Sequence, residues 1–208
     1  MKNSFVNCSY NYIIRHKKLD HYNKVKIKYG LEVMYSFVTK TVAIIIMSAL
    51  LGFLIENLFV FLFYGILRTF SHGVHAKTSR HCWISTLCTY FLTGLFCKYI
   101  SFPKYIMYII SLISFLTIII YAPADTIYRP IRSKEKRLAL KLKASVASFL
   151  YIIIIIFVNF SYKNSIIVSF ILCVISINPI TYKVLKTPQN NYKDYSGVLE
   201  NMKERSWI

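Results

Sequence analysis

The sequence predicts an all-α protein: a polytopic membrane helix bundle with four main spans, an N-terminal helical hairpin or re-entrant pair, and a basic amphipathic N-terminal segment. Three observations carry that prediction. Nearly charge-free apolar runs recur along a chain of 208 residues that is 56% hydrophobic, more than an ordinary soluble domain carries. Short basic segments separate the runs, and the formal net charge is +18. Those charges divide unequally between alternate segments, as they do on the two sides of a membrane.

Residues 1–40 are polar and basic, with no apolar stretch near Met1 of the kind a cleavable signal peptide needs. Lysines alternate with Leu19, Tyr22, Val25, Ile27, Tyr29, Leu31 and Met34. That mixture suits a cytoplasmic or interfacial amphipathic helix lying among anionic lipid headgroups of the inner leaflet, with a flexible basic tail as the alternative. The run 41–67 has Glu56 as its only charge. As one helix it would be about 40 Å long, against ~30 Å of hydrocarbon. A break at Glu56-Asn57 would fold it into a hairpin of two short helices. The runs 83–97, 105–124, 145–162 and 164–182 then read as ordinary spans. Residues 41–182 form the membrane helices of a single integral membrane domain covering 1–208, and 183–208 is a cytoplasmic tail.

Charge decides how often the 41–67 run crosses. If every run crossed once, alternate segments would carry 11 and 15 of the 26 lysines and arginines, with no useful bias. If 41–67 returns to the side it left, one side holds 23 of the 26 and the other three. The second distribution is the one expected when positive charge is retained in the cytoplasm. It makes the protein a multi-pass cell-membrane protein with both termini, and residues 68–82 and 129–143, on the cytoplasmic side.

The same placement argues against nucleic acid as a partner, since no recognition module or aromatic–basic strand pattern accompanies the charge. Cys8, Cys82, Cys88, Cys97 and Cys173 are odd in number and scattered, which fits reduced thiols and not a disulfide framework. No cofactor motif is present and none is expected. A homo-oligomer is an allowed assembly.

Chemistry concentrates in RTFSHGVHAKTSRHCWIST, residues 68–86, where three of the five histidines fall within ten residues beside a cysteine. A cysteine and a histidine make a nucleophile and its base when the imidazole can take the thiol proton. His75 and Cys82 are seven apart, so one continuous helix would separate them by ~10 Å of rise, too far for proton transfer. The pair therefore needs a break in the helix. Gly73 can supply unusual backbone angles, and Thr78-Ser79 offers a cap for a helix beginning near Arg80. With Ser79 as the cap, Cys82 would be the third helical residue, where the helix dipole favours a thiolate and free amides can stabilise an oxyanion. His81 and Arg80 add positive potential. A metal site built from His72, His75, His81 and Cys82 is the competing chemistry, but the spacing matches no strong zinc template, and no metal is expected.

These residues resemble a family. Arg68, then His72-Gly73, then His75-Ala76, with six residues between His75 and Cys82, and later YAPADTIYRPI at 121–131, are similar to the accessory gene regulator protein B family. That family comprises membrane-embedded cysteine endopeptidases of Gram-positive quorum sensing, and its hydrophobic layout matches over essentially the whole chain. The resemblance implies removal of the C-terminal part of a small propeptide through a thioester on the enzyme cysteine. The acyl group then passes to a peptide side chain, giving a cyclic thiolactone or lactone. Carried over, Cys82 is the nucleophile and His75 the base, while Arg68 and Gly73 occupy motif positions without an assigned role. The family often has a glycine where this chain has His72.

The resemblance further implies a substrate with an amphipathic leader and an acidic C-terminal segment. Arg129, Arg132, Lys134, Lys136 and Arg137, followed by Lys141 and Lys143, lie on the predicted face of Cys82 and are candidates for capturing that segment by charge. Ordinary membrane anchoring is the plainer role for most of them. Asp125 is read first as structural, paired with one of these arginines, and second as a group orienting His75. A non-enzymatic small transporter or signalling-partner protein, with a His/Cys ligand or metal site, is the alternative function.

Overall fold

The computed structural model describes residues 2–16, 20–74, 78–126, 131, 133–157 and 162–187. Among them all regular structure is helical: α1 (Lys2–His16), α2 (His21–Leu51), α3 (Leu54–Ser71), α4 (Ser79–Tyr99), α5 (Lys104–Tyr121), α6 (Lys134–Phe157), α7 (Lys163–Ile177) and α8 (Pro179–Val184). Helices α2, α3, α5 and α6 are long and apolar enough to cross a bilayer. Of the other two runs expected to span, α7 has 15 residues, and the 21-residue α4 carries Arg80, His81 and Lys98. The large aliphatic side chains left uncovered on α5 are Ile109, Leu112, Ile113, Leu116 and Ile120, with Tyr105, Tyr108 and Tyr121 exposed toward its ends, a face suited to hydrocarbon and its borders.

The 41–67 run does fold back on itself, but not at Glu56-Asn57. The turn is Gly52-Phe53. Gly52 adopts φ 72° and its amide reaches Ala49 O, while Phe53 N–H reaches Ser48 O at 3.0 Å. A left-handed residue just past a helix end closes the last turn this way, and glycine takes that conformation without a Cβ penalty. Glu56 instead sits in the first turn of α3, where the helix dipole favours a carboxylate. Asn57 is buried inside the hairpin, donating to Ser48 Oγ at 2.8 Å and to Tyr90 O at 3.0 Å. One amide thus ties α2, α3 and α4 together. The N-terminal limb is also not a short helix, because α2 runs unbroken from the basic segment to Leu51, through residues 40 and 41. Helix α1 packs on its outer half, with Val6 buried and the Phe5 and Tyr35 rings 5.5 Å apart.

Helix α7 is the axis of the bundle: nine of its fifteen residues are buried. It runs parallel to α3 along a stripe of small residues. Ser165 Oγ reaches Glu56 O at 3.3 Å, Ser169 Oγ reaches Val60 O at 3.5 Å, and Cys173 Sγ lies 3.2 Å from Ser71 Oγ. Small polar residues let two backbones approach closely where water is absent. Across the bundle, Tyr151 of α6 donates to Phe63 O at 3.1 Å and stacks edge-on against Phe63 and Phe170.

These contacts sort the chain into two ends. At one, Lys98 Nζ donates to Gly52 O at 3.0 Å and Asn164 Nδ2 to Ile100 O at 2.7 Å. At the other, the backbone joins Ser71 to Ala124 and Val74 to Ser176. The return of α2 and α3 to one end is the even parity that the charge distribution requires.

Candidate active site

Helix α3 stops at Ser71 because the next two residues leave helical space together. His72 has φ 57° and Gly73 φ 115°. Both values favour glycine, so His72 holds a backbone conformation that strains any side chain. The turn is held from three sides. Gly73 N–H donates to Ala124 O at 2.8 Å, Ala124 N–H to Ser71 O at 2.9 Å, and Val74 N–H to Ser176 O at 2.9 Å. Arg68, one turn earlier on α3, donates through its two terminal nitrogens to the carbonyls of His72 and Val74. A Cβ on Gly73 would collide with that guanidinium and with Ser176 O. Arg68 and Gly73, which the sequence left without roles, are the clamp and the clearance of a single turn.

Asp125 adjoins this turn. It is buried, and its backbone carbonyl accepts from Tyr182 Oη at 3.0 Å, linking the 121–126 motif to α8. The described chain stops at Val74 and resumes at Thr78. Residues 75–77, including His75, lie outside the described residues, as do Arg129 and Arg132. Helix α4 begins only at Ser79, so no continuous helix runs from His75 to Cys82. That break is the one the pair needs.

The cap of α4 is Thr78, not Ser79. Thr78 is extended at ψ 152°, its Oγ1 accepts from His81 N–H at 3.3 Å, and Ser79 is the first helical residue. The two adjacent hydroxyls are equivalent on paper; the amide reached three residues on selects between them. His81 Nδ1 also lies 2.8 Å from Thr78 Oγ1, which turns this exposed ring onto the cap. Cys82 becomes the fourth helical residue and its amide donates to Thr78 O at 3.0 Å. It is spent as an oxyanion donor, whereas the Ser79 and Arg80 amides precede the first intrahelical bond.

A residue that the sequence did not single out completes this end. Lys40 of α2, 42 positions upstream, donates from Nζ to Cys82 Sγ at 3.0 Å. Both side chains are half-buried. Lys40 ends the basic 1–40 segment in the sequence, and the unbroken α2 helix carries it to the sulfur.

Lys134 and Lys136 are exposed in the first turn of α6, with Arg137 half-buried beside them. Cations there oppose the helix dipole, so their presence is not explained by helix stability. They share the end of the bundle at which α5 finishes. Among the described residues no three His, Cys, Asp or Glu side chains are grouped to hold a metal ion.

The geometry thus offers a thiol at a helix start beside a lysine, a clamped turn leading into His75, and a basic helix end. The family model for accessory gene regulator B, AgrB, matches residues 6–177. The chain belongs to the AgrB family. An AgrB-like protein of Listeria innocua is 32% identical over 179 residues, covering 86% of this chain and 88% of the relative. One from Clostridium acetobutylicum is 29% identical over 187 residues, covering 89% and 90%. The accessory gene regulator protein B of Staphylococcus saprophyticus is 29% identical over 164 residues, covering 79% and 86%. No solved structure matches. The described residues of the site from Lys40 to Ser176 fall inside the AgrB match, and Tyr182 of α8 lies just beyond it.

Proposed function

We propose that this AgrB-family chain is a membrane-embedded cysteine endopeptidase of quorum sensing, which trims a small propeptide and closes it into a thiolactone or lactone. The observation that carries the proposal is the Cys82 thiol in the first turns of α4, 3.0 Å from Lys40 Nζ. Few other settings in the chain suit a nucleophile: Cys97 and Cys173 are buried, and the Cys173 sulfur is engaged by Ser71.

The reaction has two balanced steps. In the first, His75 takes the Cys82 proton and the thiolate attacks the scissile carbonyl. The carbon–nitrogen bond breaks, the imidazolium returns its proton to the departing amine, and a thioester remains on Sγ. In the second, a cysteine or serine side chain of the bound peptide loses its proton to His75 and attacks the thioester carbon. Cys82 leaves as thiolate, the ring closes, and the proton on His75 restores the thiol. The amides of Ser79 and Arg80 supply donors for the oxyanion in both steps. A thioester keeps the activation that ring closure needs, provided water stays away; the membrane edge serves that purpose.

The proposed orientation puts this end of the bundle, with both termini, in the cytoplasm, where 23 of the 26 basic residues would lie. Lys134, Lys136 and Arg137 would steer the acidic C-terminal segment of the propeptide, and the N-terminal helices would rest among anionic headgroups. The decisive experiment co-expresses the chain with its propeptide and follows cleavage on gels. Cys82→Ser and His75→Ala should abolish it while Cys88→Ser leaves it intact. Cleavage by the Cys82→Ser protein would remove the proposal.

A further inference from the structure

We infer that Lys40 is the charge partner of the Cys82 nucleophile: it holds the sulfur as a thiolate before attack and again as it leaves. The inference rests on the endopeptidase proposal for its meaning, and three observations carry its content. The first is the contact itself, Nζ donating to Sγ at 3.0 Å. A lysine ammonium offers only donors, so sulfur is the acceptor in this pair.

The second is where Lys40 sits. It lies within the α2 helix that is long and apolar enough to cross a bilayer, with Phe37, Val38 and Val42 among its neighbours in sequence. A lysine in such a segment is costly and is retained where a specific partner or pathway repays it. The Nζ of Lys40 points to α4 and ends on Cys82, in the first turn of that helix.

The third is what else faces that sulfur. On α4, Arg80 is exposed and His81 is turned back onto Thr78. The Cys82 carbonyl is occupied by Ser85 Oγ at 3.2 Å and Thr86 Oγ1 at 2.6 Å. Among the described residues, Lys40 is the cationic side chain in hydrogen-bond contact with Sγ. The proposed chemistry needs such a group twice. A base such as His75 can remove the thiol proton, but it must hand that proton to the departing amine. Lys40 keeps its own proton throughout, so the charge balance at sulfur persists while the proton moves. The same cation makes Cys82 a better leaving group when the peptide side chain attacks the thioester, because a stabilised thiolate leaves faster.

The test reads the sulfur directly, without propeptide. The full-length protein in nanodiscs is pulsed with iodoacetamide at pH 7, and labelling is resolved by site with peptide mass spectrometry. Exposed Cys8, on α1, serves as the internal reference. In Lys40→Met the Cys82 to Cys8 labelling ratio should fall about tenfold, and in Lys40→Arg it should stay within about threefold of wild type, since arginine restores charge but not the same geometry. An unchanged ratio in Lys40→Met overturns the inference. Misfolding would show as new labelling of buried Cys97 and Cys173; Lys40→Gln, which keeps length and polarity without charge, then decides on the same ratio. The two proposals fail separately. Cleavage by Cys82→Ser would refute the endopeptidase assignment while leaving the alkylation result standing. An inactive Cys82→Ser with an unaltered Lys40→Met ratio would refute Lys40 alone.

Discussion

The Tyr182 hydroxyl donates to the backbone carbonyl of Asp125 across 57 positions of sequence, at 3.0 Å, with both residues almost fully buried. This bond joins α8 to the loop that pairs with the Arg68 turn. Removing it should loosen the turn without touching the sulfur. Tyr182→Phe is expected to cost ~1 kcal/mol of stability, seen as a lower thermal midpoint in detergent, with Cys82 alkylation unchanged. A midpoint equal to wild type would mean that the bond contributes nothing to the fold.

The 72–73 turn should discriminate sharply between substitutions. His72 occupies φ 57°, where a non-glycine residue costs ~1–2 kcal/mol. His72→Gly removes that strain, offset in part by the freedom glycine gains when unfolded, so stability should match or exceed wild type. His72→Val should lose ~1 kcal/mol or more against His72→Gly. Gly73→Ala has both a positive φ and a collision with the Arg68 guanidinium, and should lose at least ~2 kcal/mol. Thermal midpoints of the three variants test the ranking; equal stability of His72→Val and His72→Gly would contradict the backbone conformation.

Asn57 makes a case where near-identical shape should not help. Its Nδ2 faces two oxygens, Ser48 Oγ and Tyr90 O. Asn57→Asp keeps the volume and puts an acceptor against the Tyr90 carbonyl, at a cost of ~2 kcal/mol or more. Asn57→Ala forfeits the bonds for about half that, the modest worth of interhelical hydrogen bonds in membranes. Monodispersity after heating should fall in the order wild type, alanine, aspartate. An aspartate variant as stable as wild type would rule out the buried contact.

The two ends of the bundle give a topology prediction. Cysteines introduced at Lys104 and at Lys163 should react together with an impermeant maleimide applied to intact cells. Cysteines at Lys134 and Lys183 should react only after the membrane is opened. Labelling of Lys134→Cys in intact cells would reverse the proposed orientation, and mixed behaviour within either pair would break the shared ends.

Some of this was legible in the sequence because it depends on counting. The basic residues fix how many times the first apolar run crosses, since each charge contributes whatever the fine geometry. The turn is not where polarity points, although Glu56 and Asn57 stand out as polar in the middle of the run. A helix end is set by which residue can go left-handed, and Gly52 does so, while Asn57 is polar in order to bridge three helices. The choice of Thr78 over Ser79 is likewise a matter of one amide's reach. Lys40 was out of view for another reason: its partner is 42 residues away, and nothing in a local composition of lysines and aromatics reveals which of them faces a neighbouring helix. The roles of Arg68 and Gly73 needed Ser176 and Ala124, residues from two other segments that no motif spacing connects to them.

The uninterrupted α2 helix has a mechanical consequence. From His21 to Leu51 there is no hinge, so about 46 Å of rod turns as one piece. Each residue step around that rod is ~100°, and Thr39 and Thr41 flank Lys40. A rotation by a single step would swing a hydroxyl toward Cys82 in place of the ammonium. The packing of α1 on the outer half of α2 therefore bears on which side chain the sulfur meets.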